Sequence, residues 1–200
     1  MPLYRRLERR ELPQETVALA RALIGCLLVR DSAEGRAAGR IVETEAYVPG
    51  DRASHAYAGA GKRNASMFLR PFHAYVYKIY GTSLCVNVTS ENVGEGAAVL
   101  LRALEPLEGI ELMQARRATA RLRDLTRGPG RLCQALAIGL EEDGLDLLAA
   151  SALWLAAPPQ ARRRRLGRSA RIGITKAAAR RLRFYERGNP YISGPRALSP

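Results

Sequence analysis

The stretch Arg40-Ile-Val-Glu-Thr-Glu-Ala-Tyr47 decides how the chain is read. Small and β-branched residues alternate in it with chargeable ones, the period of a strand with two unlike faces. On that period Val42, Thr44 and Ala46 share one face and are small enough to pack, while Ile41, Glu43, Glu45 and Tyr47 share the other. Two carboxylates and a phenol on one side of a strand that otherwise reads as buried are costly unless paired or used. Taken alone, a solvated face with a salt bridge to Arg40 is the simpler account. The neighbouring segments change that balance.

Upstream, Pro13 sits where a helix can begin. Val17, Leu19, Ala20, Leu23 and Ile24 mostly keep helical spacing, up to a stop at Gly25. A β-rich run over 26–30 and a turn over 31–38 would make a hairpin with the quoted strand, which is expected to open at Gly39. Downstream, Pro49-Gly50-Asp51 breaks the strand, and residues 50–66 form a long polar loop holding His55. Loops of that length inside a compact domain are often functional. Tyr75-Val-Tyr-Lys-Ile-Tyr-Gly81 then runs on to Val88 as a second hairpin. Regular alternation there puts Tyr75 and Tyr77 on one face and Tyr80 on the other. Such a hairpin is either a tyrosine-rich sheet face or an aromatic element that stacks on or wedges between bases.

Residues 97–104 read as a buried strand with a single charge, Arg102, whose partner is expected to be a carboxylate. A helix is expected from Glu105-Pro106 onward, with Leu107, Ile110, Leu112 and Met113 on its apolar side, followed by a basic link over 116–127. Gly128-Pro129-Gly130-Arg131 leads into a short helix over 132–138. Its N-terminus, with Arg127 and Arg131, would suit a DNA phosphate, although a plain proline-started helix explains it too. Strands are expected over 152–156, with Trp154, and over 171–175. A turn at Arg187-Gly188-Asn189-Pro190 lies between 182–185 and 191–193.

Two hundred residues make one domain with a real core, with a basic segment over 1–12 and a frayed tail over 194–200. The net charge of +13 comes almost wholly from arginine and calls for a polyanionic partner, nucleic acid foremost. The arginine run at 162–165 adds non-specific phosphate attraction. No apolar run is long enough to span a membrane, and the first residues carry no apolar signal core. Cys26, Cys85 and Cys133 are few, odd in number and widely spaced, and there are only two histidines. A cytosolic, metal-free protein is expected.

An enzyme that acts on a base in a duplex must extrude it and hold it between flat side chains. Hydrolysis of the N-glycosidic bond then needs a placed water, a carboxylate to take its proton and charge to stabilise an oxocarbenium-like state. An aromatic hairpin, a carboxylate strand, a buried arginine and a strongly basic surface fit that job.

Five blocks carry a family resemblance: Arg40-Ile-Val-Glu-Thr-Glu-Ala-Tyr47, Tyr75-Val-Tyr-Lys-Ile-Tyr-Gly81, Val99-Leu-Leu-Arg-Ala-Leu-Glu-Pro106, Gly128-Pro-Gly-Arg-Leu-Cys-Gln-Ala-Leu136 and Arg183-Phe-Tyr185. In order and spacing the sequence resembles the alkyladenine (3-methyladenine) DNA glycosylases of the single-domain mixed type, over about residues 12–193. The resemblance implies an α+β fold: one domain on a curved, mainly antiparallel sheet with flanking helices and a protruding β-hairpin. It implies Glu45 as general base and Arg102 as a residue holding the attacking water. Tyr47, His55, Tyr77 and Asn87 would enclose the flipped base, and Tyr80 would be the wedge in the DNA. The implied substrate is double-stranded DNA carrying damaged purines: 3-methyladenine, with 7-methylguanine, hypoxanthine and ethenoadenine as further candidates. No cofactor, metal or lyase lysine is implied, and a monomer is expected. Thr82 and Ser83, just past the wedge, are smaller than an intercalating pair would be. Two rivals stand beside this reading. One is a nucleic-acid binder without catalysis; the other is a glycoside hydrolase using Glu43 and Glu45 as a carboxylate pair.

Overall fold

The structure, a computed structural model, describes residues 4–79, 81, 83–158 and 165–195. Its fold is α+β, a curled antiparallel half-barrel with three α-helices among the described residues. The strands are β1 (Leu27–Ser32), β2 (Gly35–Tyr47), β3 (Ala74–Ile79), β4 (Ser83–Thr89), β5 (Ala98–Glu108), β6 (Leu153–Ala156), β7 (Leu166–Ser169) and β8 (Arg183–Glu186). The helices are α1 (Thr16–Ala22), α2 (Ile110–Arg117) and α3 (Pro129–Ala135).

The order along the sheet is β3-β4-β5-β2-β1-β6, and β8 joins β2 to β7. β2 is the axis of this arrangement. One of its edges runs along β5, while the other serves β1 over its first half and β8 over Glu43–Glu45. Both glutamates of β2 are fully buried.

Period-two alternation sorts the side chains of four neighbouring strands. Ala46, Ala74, Val76, Val86, Val88, Val99 and Leu101 join the main core, with Leu19 and Leu23 from the α1 region and Leu132 from α3. Thr44 also points that way, and its hydroxyl donates to the Ala20 carbonyl at 2.8 Å. The intervening residues Glu45, Tyr47, Tyr75, Tyr77, Cys85, Asn87, Leu100 and Arg102 belong to the opposite face. A chemically rich surface is thus held by a dry aliphatic layer behind it.

Two compensating bulges interrupt the alternation. Ile41 pairs with Leu104, but Glu43 pairs with Ala103 and Thr44 with Leu101. Val42 is therefore the extra residue on β2 and Arg102 the extra residue on β5. Bulges of this kind bend a strand and re-aim side chains. They send Ile41 into the core rather than to the face of Glu43 and Glu45, a correction to strict alternation. Arg40 pairs with Glu105 and Glu186, so it does not make the simple salt bridge on its own strand.

Other boundaries differ from expectation for tertiary reasons. Glu105-Pro106 does not begin a helix: pairing of β5 with Ala38–Arg40 keeps it extended, with Pro106 opposite Gly39 beside a bulge. The helix starts after Gly109, whose φ is +71° and whose Cβ, if present, would lie 2.3 Å from the Arg36 carbonyl oxygen. The basic stretch from Arg116 is not a free link. Arg116 and Arg117 close α2, and Arg116 donates to Glu34 at 3.0 Å and to the Ala135 carbonyl at 3.1 Å. The first hairpin turn is tighter than 31–38, because pairing continues to Ser32 and Gly35. The short helix α3 begins at Pro129, not at 132. Residues 171–175 form no strand; β7 precedes them and takes the free edge of β8. Tyr80, Thr82 and the arginines at 162–164 lie outside the described residues.

Candidate active site

A cavity of about 440 Å³ lies on the chemically rich face of the sheet. Tyr47 from β2, Tyr75 and Tyr77 from β3, Cys85 and Asn87 from β4, and Leu100 and Arg102 from β5 line it. The long loop adds Ser54 and His55, the short 3-10 turn Ala65–Phe68 that ends it adds Met67, and the segment after β7 adds residues 172–174.

The carboxylates of β2 sit behind this wall in different surroundings. Glu43 is saturated with donors. Its Oε1 accepts from Arg183 Nε at 2.6 Å, from the Ser193 hydroxyl at 2.9 Å and from Arg102 Nε at 3.0 Å; its Oε2 accepts from the Ser193 N–H at 2.5 Å. Glu45 is held by partners that themselves line the cavity. Its Oε1 accepts from the Ile172 N–H at 2.7 Å and faces Arg102 Nη1 at 3.2 Å, and its Oε2 accepts from the Tyr47 hydroxyl at 3.0 Å. Burial pushes the Glu45 carboxyl above its ordinary range, and Arg102, the Ile172 amide and Tyr47 pull it back only in part. Burial acts against the charge of Arg102, yet Glu45 and Glu43 hold it firmly ionised. Arg102 thus bridges two buried carboxylates.

A second buried ion pair packs against Tyr47. Arg171 donates to Asp51 at 2.5 and 3.1 Å and to the Ala46 carbonyl at 3.0 Å, and its guanidinium lies 4.5 Å from the Tyr47 ring centroid. Around the site Glu43, Glu45 and Asp51 are balanced by Arg102, Arg171 and Arg183, all of them buried. Pairing of this kind is what permits charge there at all.

The remaining wall is aromatic. Tyr75 and Tyr77 stack with centroids 5.1 Å apart, and the His55 ring meets Tyr77 edge-on at 4.4 Å. His55 Nδ1 shares a hydrogen bond of 2.8 Å with the Tyr75 hydroxyl. Partial covering by the tyrosines, with Arg63 nearby, lowers the His55 pKa, so the ring is neutral at neutral pH. Asn64 carries the loop: its amide donates to the carbonyls of His55 at 2.9 Å and Gly59 at 3.1 Å. Asn87 donates to the Tyr75 carbonyl at 2.9 Å, which fixes its amide at the cavity wall.

Glu45, Arg102, Tyr47, His55, Tyr77 and Asn87, singled out from the sequence, therefore gather at one cavity. Arg127, Gly128 and Arg131 do not join them. They border a separate cleft of about 320 Å³ that shares Ile79 and Pro129 with the first. Arg127 spends donors on the carbonyls of Ile192, at 2.7 Å, and Gly194, at 3.4 Å, and Arg131 pairs with Asp124 at 3.2 Å. Sequence reasoning missed Arg183, Arg171, Asp51 and Ser193. Arg183 carried a signal like that of Arg102, a charge set within a short apolar run, Leu182 to Tyr185. Asp51 read only as a strand breaker, and Ser193 gave no signal.

Comparison with known proteins shows the family of the chain. The family model described as Methylpurine-DNA glycosylase (MPG) matches residues 10–190. A Mesorhizobium japonicum protein with the provisional name 3-methyladenine DNA glycosylase is 58% identical over 192 residues, covering 96% of this chain and 92% of its own. One from Methanoculleus marisnigri with the same provisional name is 48% identical over 182 residues, covering 90% and 94%. The DNA-3-methyladenine glycosylase of Homo sapiens is 45% identical over 196 residues, covering 90% of this chain and 65% of its own. With the family model spanning nearly its whole length and relatives about half identical along it, this chain belongs to the methylpurine-DNA glycosylase family.

Proposed function

We propose that this DNA glycosylase of base excision repair removes alkylated purines from double-stranded DNA by a Glu45-activated water. The observation that carries the proposal is Arg102 set between two buried carboxylates beside an aromatic cavity. A flipped base would lie against Tyr47, Tyr77 and His55, with the Asn87 amide at its edge. The carboxylate of Glu45 would take a proton from a water placed behind the anomeric carbon, and Arg102 would orient that water. Glu45 itself is fully buried, so this contact forms as substrate and water fill the cavity. Tyr80, which follows β3 in the sequence and lies outside the described residues, is proposed as the wedge that fills the vacated stack. 3-Methyladenine is the proposed principal substrate; 7-methylguanine, hypoxanthine and ethenoadenine are further candidates. A monomer acting on duplex DNA suffices for this chemistry.

The rivals fare worse. A binder without catalysis gives a buried, incompletely neutralised Glu45 no task. In a glycoside hydrolase Glu43 would have to react, yet its oxygens are taken by Arg102, Arg183 and Ser193.

The pH–rate profile tests the role of Glu45. A base must be ionised, and burial raises the pKa of this carboxyl. Excision should therefore fall on acidification through a midpoint above the ordinary carboxyl value of about 4.3. A midpoint at or below that value would count against Glu45. The sign for stability follows: the folded state holds this proton more tightly than the unfolded chain, so ionised Glu45 costs stability and the cost lifts as pH falls. Duplex binding should weaken steeply with salt, with log K falling linearly in log salt by about 0.9 per phosphate neutralised. A flat response would contradict the role given to the +13 charge.

A further inference from the structure

Arg102 is held by an element that belongs to neither central strand. After β8 the chain returns through residues 190–194, and Ser193 is buried against Glu43, Arg102 and Arg183. Its hydroxyl donates to Glu43 Oε1 at 2.9 Å, so its lone pairs are what meet Arg102 Nε at 3.3 Å and Nη2 at 3.2 Å. Its carbonyl accepts from Arg183 Nη2 at 3.0 Å. The carbonyls around it face other arginines: Pro190 accepts from Arg123 Nε at 2.9 Å, and Ile192 from Arg127 Nε at 2.7 Å.

This arrangement fixes the rotation of a long side chain. The Nε–Nη2 edge of Arg102 is taken by Ser193 Oγ and Glu43, which leaves Nη1 turned to Glu45 at 3.2 Å. Without the serine oxygen the guanidinium can settle on Glu43 and leave Glu45.

We propose that residues 190–194 form a strap that positions Arg102, with Ser193 as the positioning residue and Arg127 as the outer clasp. The strap touches no substrate; it acts through Arg102 and rests on the role given to that arginine above. It also gives Arg127 a task other than holding DNA phosphate.

The charge of Arg102 is a main force holding down the Glu45 pKa. The other groups facing Glu45 are Glu43 and Tyr47 on its own strand, Cys85 on β4 and the Ile172 amide; of these only Glu43 is touched by Ser193→Ala, which takes away the hydroxyl donor and leaves it Arg183, Arg102 and the Ser193 N–H. Loosening Arg102 should therefore raise the Glu45 midpoint.

The test compares the intact chain with Ser193→Ala, Ser193→Thr and Arg127→Met. Single-turnover base release from methylated duplex DNA and the carbon NMR titration of the Glu45 carboxyl are followed in each. Ser193→Ala should excise about tenfold more slowly, the worth of one hydrogen bond to a charged group, with duplex affinity near wild type. Its Glu45 midpoint and the acid limb of its rate profile should both move to higher pH. Ser193→Thr keeps the oxygen and should restore rate and midpoint. Arg127→Met, which touches only strap carbonyls, should shift both in the same direction by less. A purely structural serine would lower the melting temperature and leave the midpoint in place, and that result overturns the proposal. So does a threonine variant as impaired as the alanine one. Should Ser193→Ala not fold, an unmoved midpoint in Arg127→Met overturns it equally. Should the intact chain release no base, the reading of the site fails while the Glu45 titration still reads the strap.

Discussion

Glu45→Gln should lower base excision by about a thousandfold or more, within the range for loss of a general base, and leave duplex binding near wild type. Glutamine keeps the shape of the side chain. Its amide oxygen can still accept the Ile172 N–H that Glu45 accepts at 2.7 Å. What is lost is the ability to take a proton and the negative charge beside a developing oxocarbenium ion. Binding persists because phosphate attraction arises from the spread of arginines over the surface, not from this buried group. Single-turnover release of free base and fluorescence anisotropy with the same duplex check the two halves. Full activity in the variant would sink the assigned role; loss of binding would mean that the carboxylate supports the fold or the DNA surface.

Arg183→Ala should be the costliest change to stability in the site, about 3–5 kcal/mol, because it breaks a buried pair and strands the partner charge. Arg183 is fully buried. It donates to Glu43 at 2.6 Å, Ser169 at 2.9 Å and the Ser193 carbonyl at 3.0 Å, and its guanidinium lies 4.6 Å from the Tyr185 ring centroid. Truncation leaves Glu43 with fewer donors and opens a void between β8 and β2. Arg5→Ala, which removes the exposed pair with Glu11, should cause no measurable loss. Urea unfolding of the two variants, compared at equal m-value, reads the difference directly. Equal stability of the pair would mean that Glu43 is neutralised adequately by Arg102 and Ser193 alone.

Much of the site was legible because it obeys local rules. One face of β2 through β5 is dry, so alternation put Glu45 with Tyr47 and Tyr75 with Tyr77, while Arg102 stood out as the lone charge of a buried strand. The same rule failed at Ile41, where the bulge at Val42 resets the parity, and a bulge is set by the partner strand rather than by its own sequence. Residues 105–108 carry helix-compatible side chains but are held extended by pairing with β2, a tertiary override of local preference. Arg127 beside a glycine-flanked helix start has the composition of a phosphate site, yet its donors go to carbonyls more than sixty residues away along the chain. Ser193 and Arg171 were illegible for that reason: their tasks are defined by Glu43 and Asp51, 150 and 120 residues distant. Family resemblance supplied roles to residues that the strand pattern had already brought together, and it was silent on the strap.

The most direct measurement is the fate of methylated duplex DNA incubated with the intact chain. Free 3-methyladenine should appear in solution while the strand it leaves stays unbroken, with an abasic site that alkali then cleaves. Release of no base, or scission of the strand by the protein itself, would contradict hydrolysis by a Glu45-activated water.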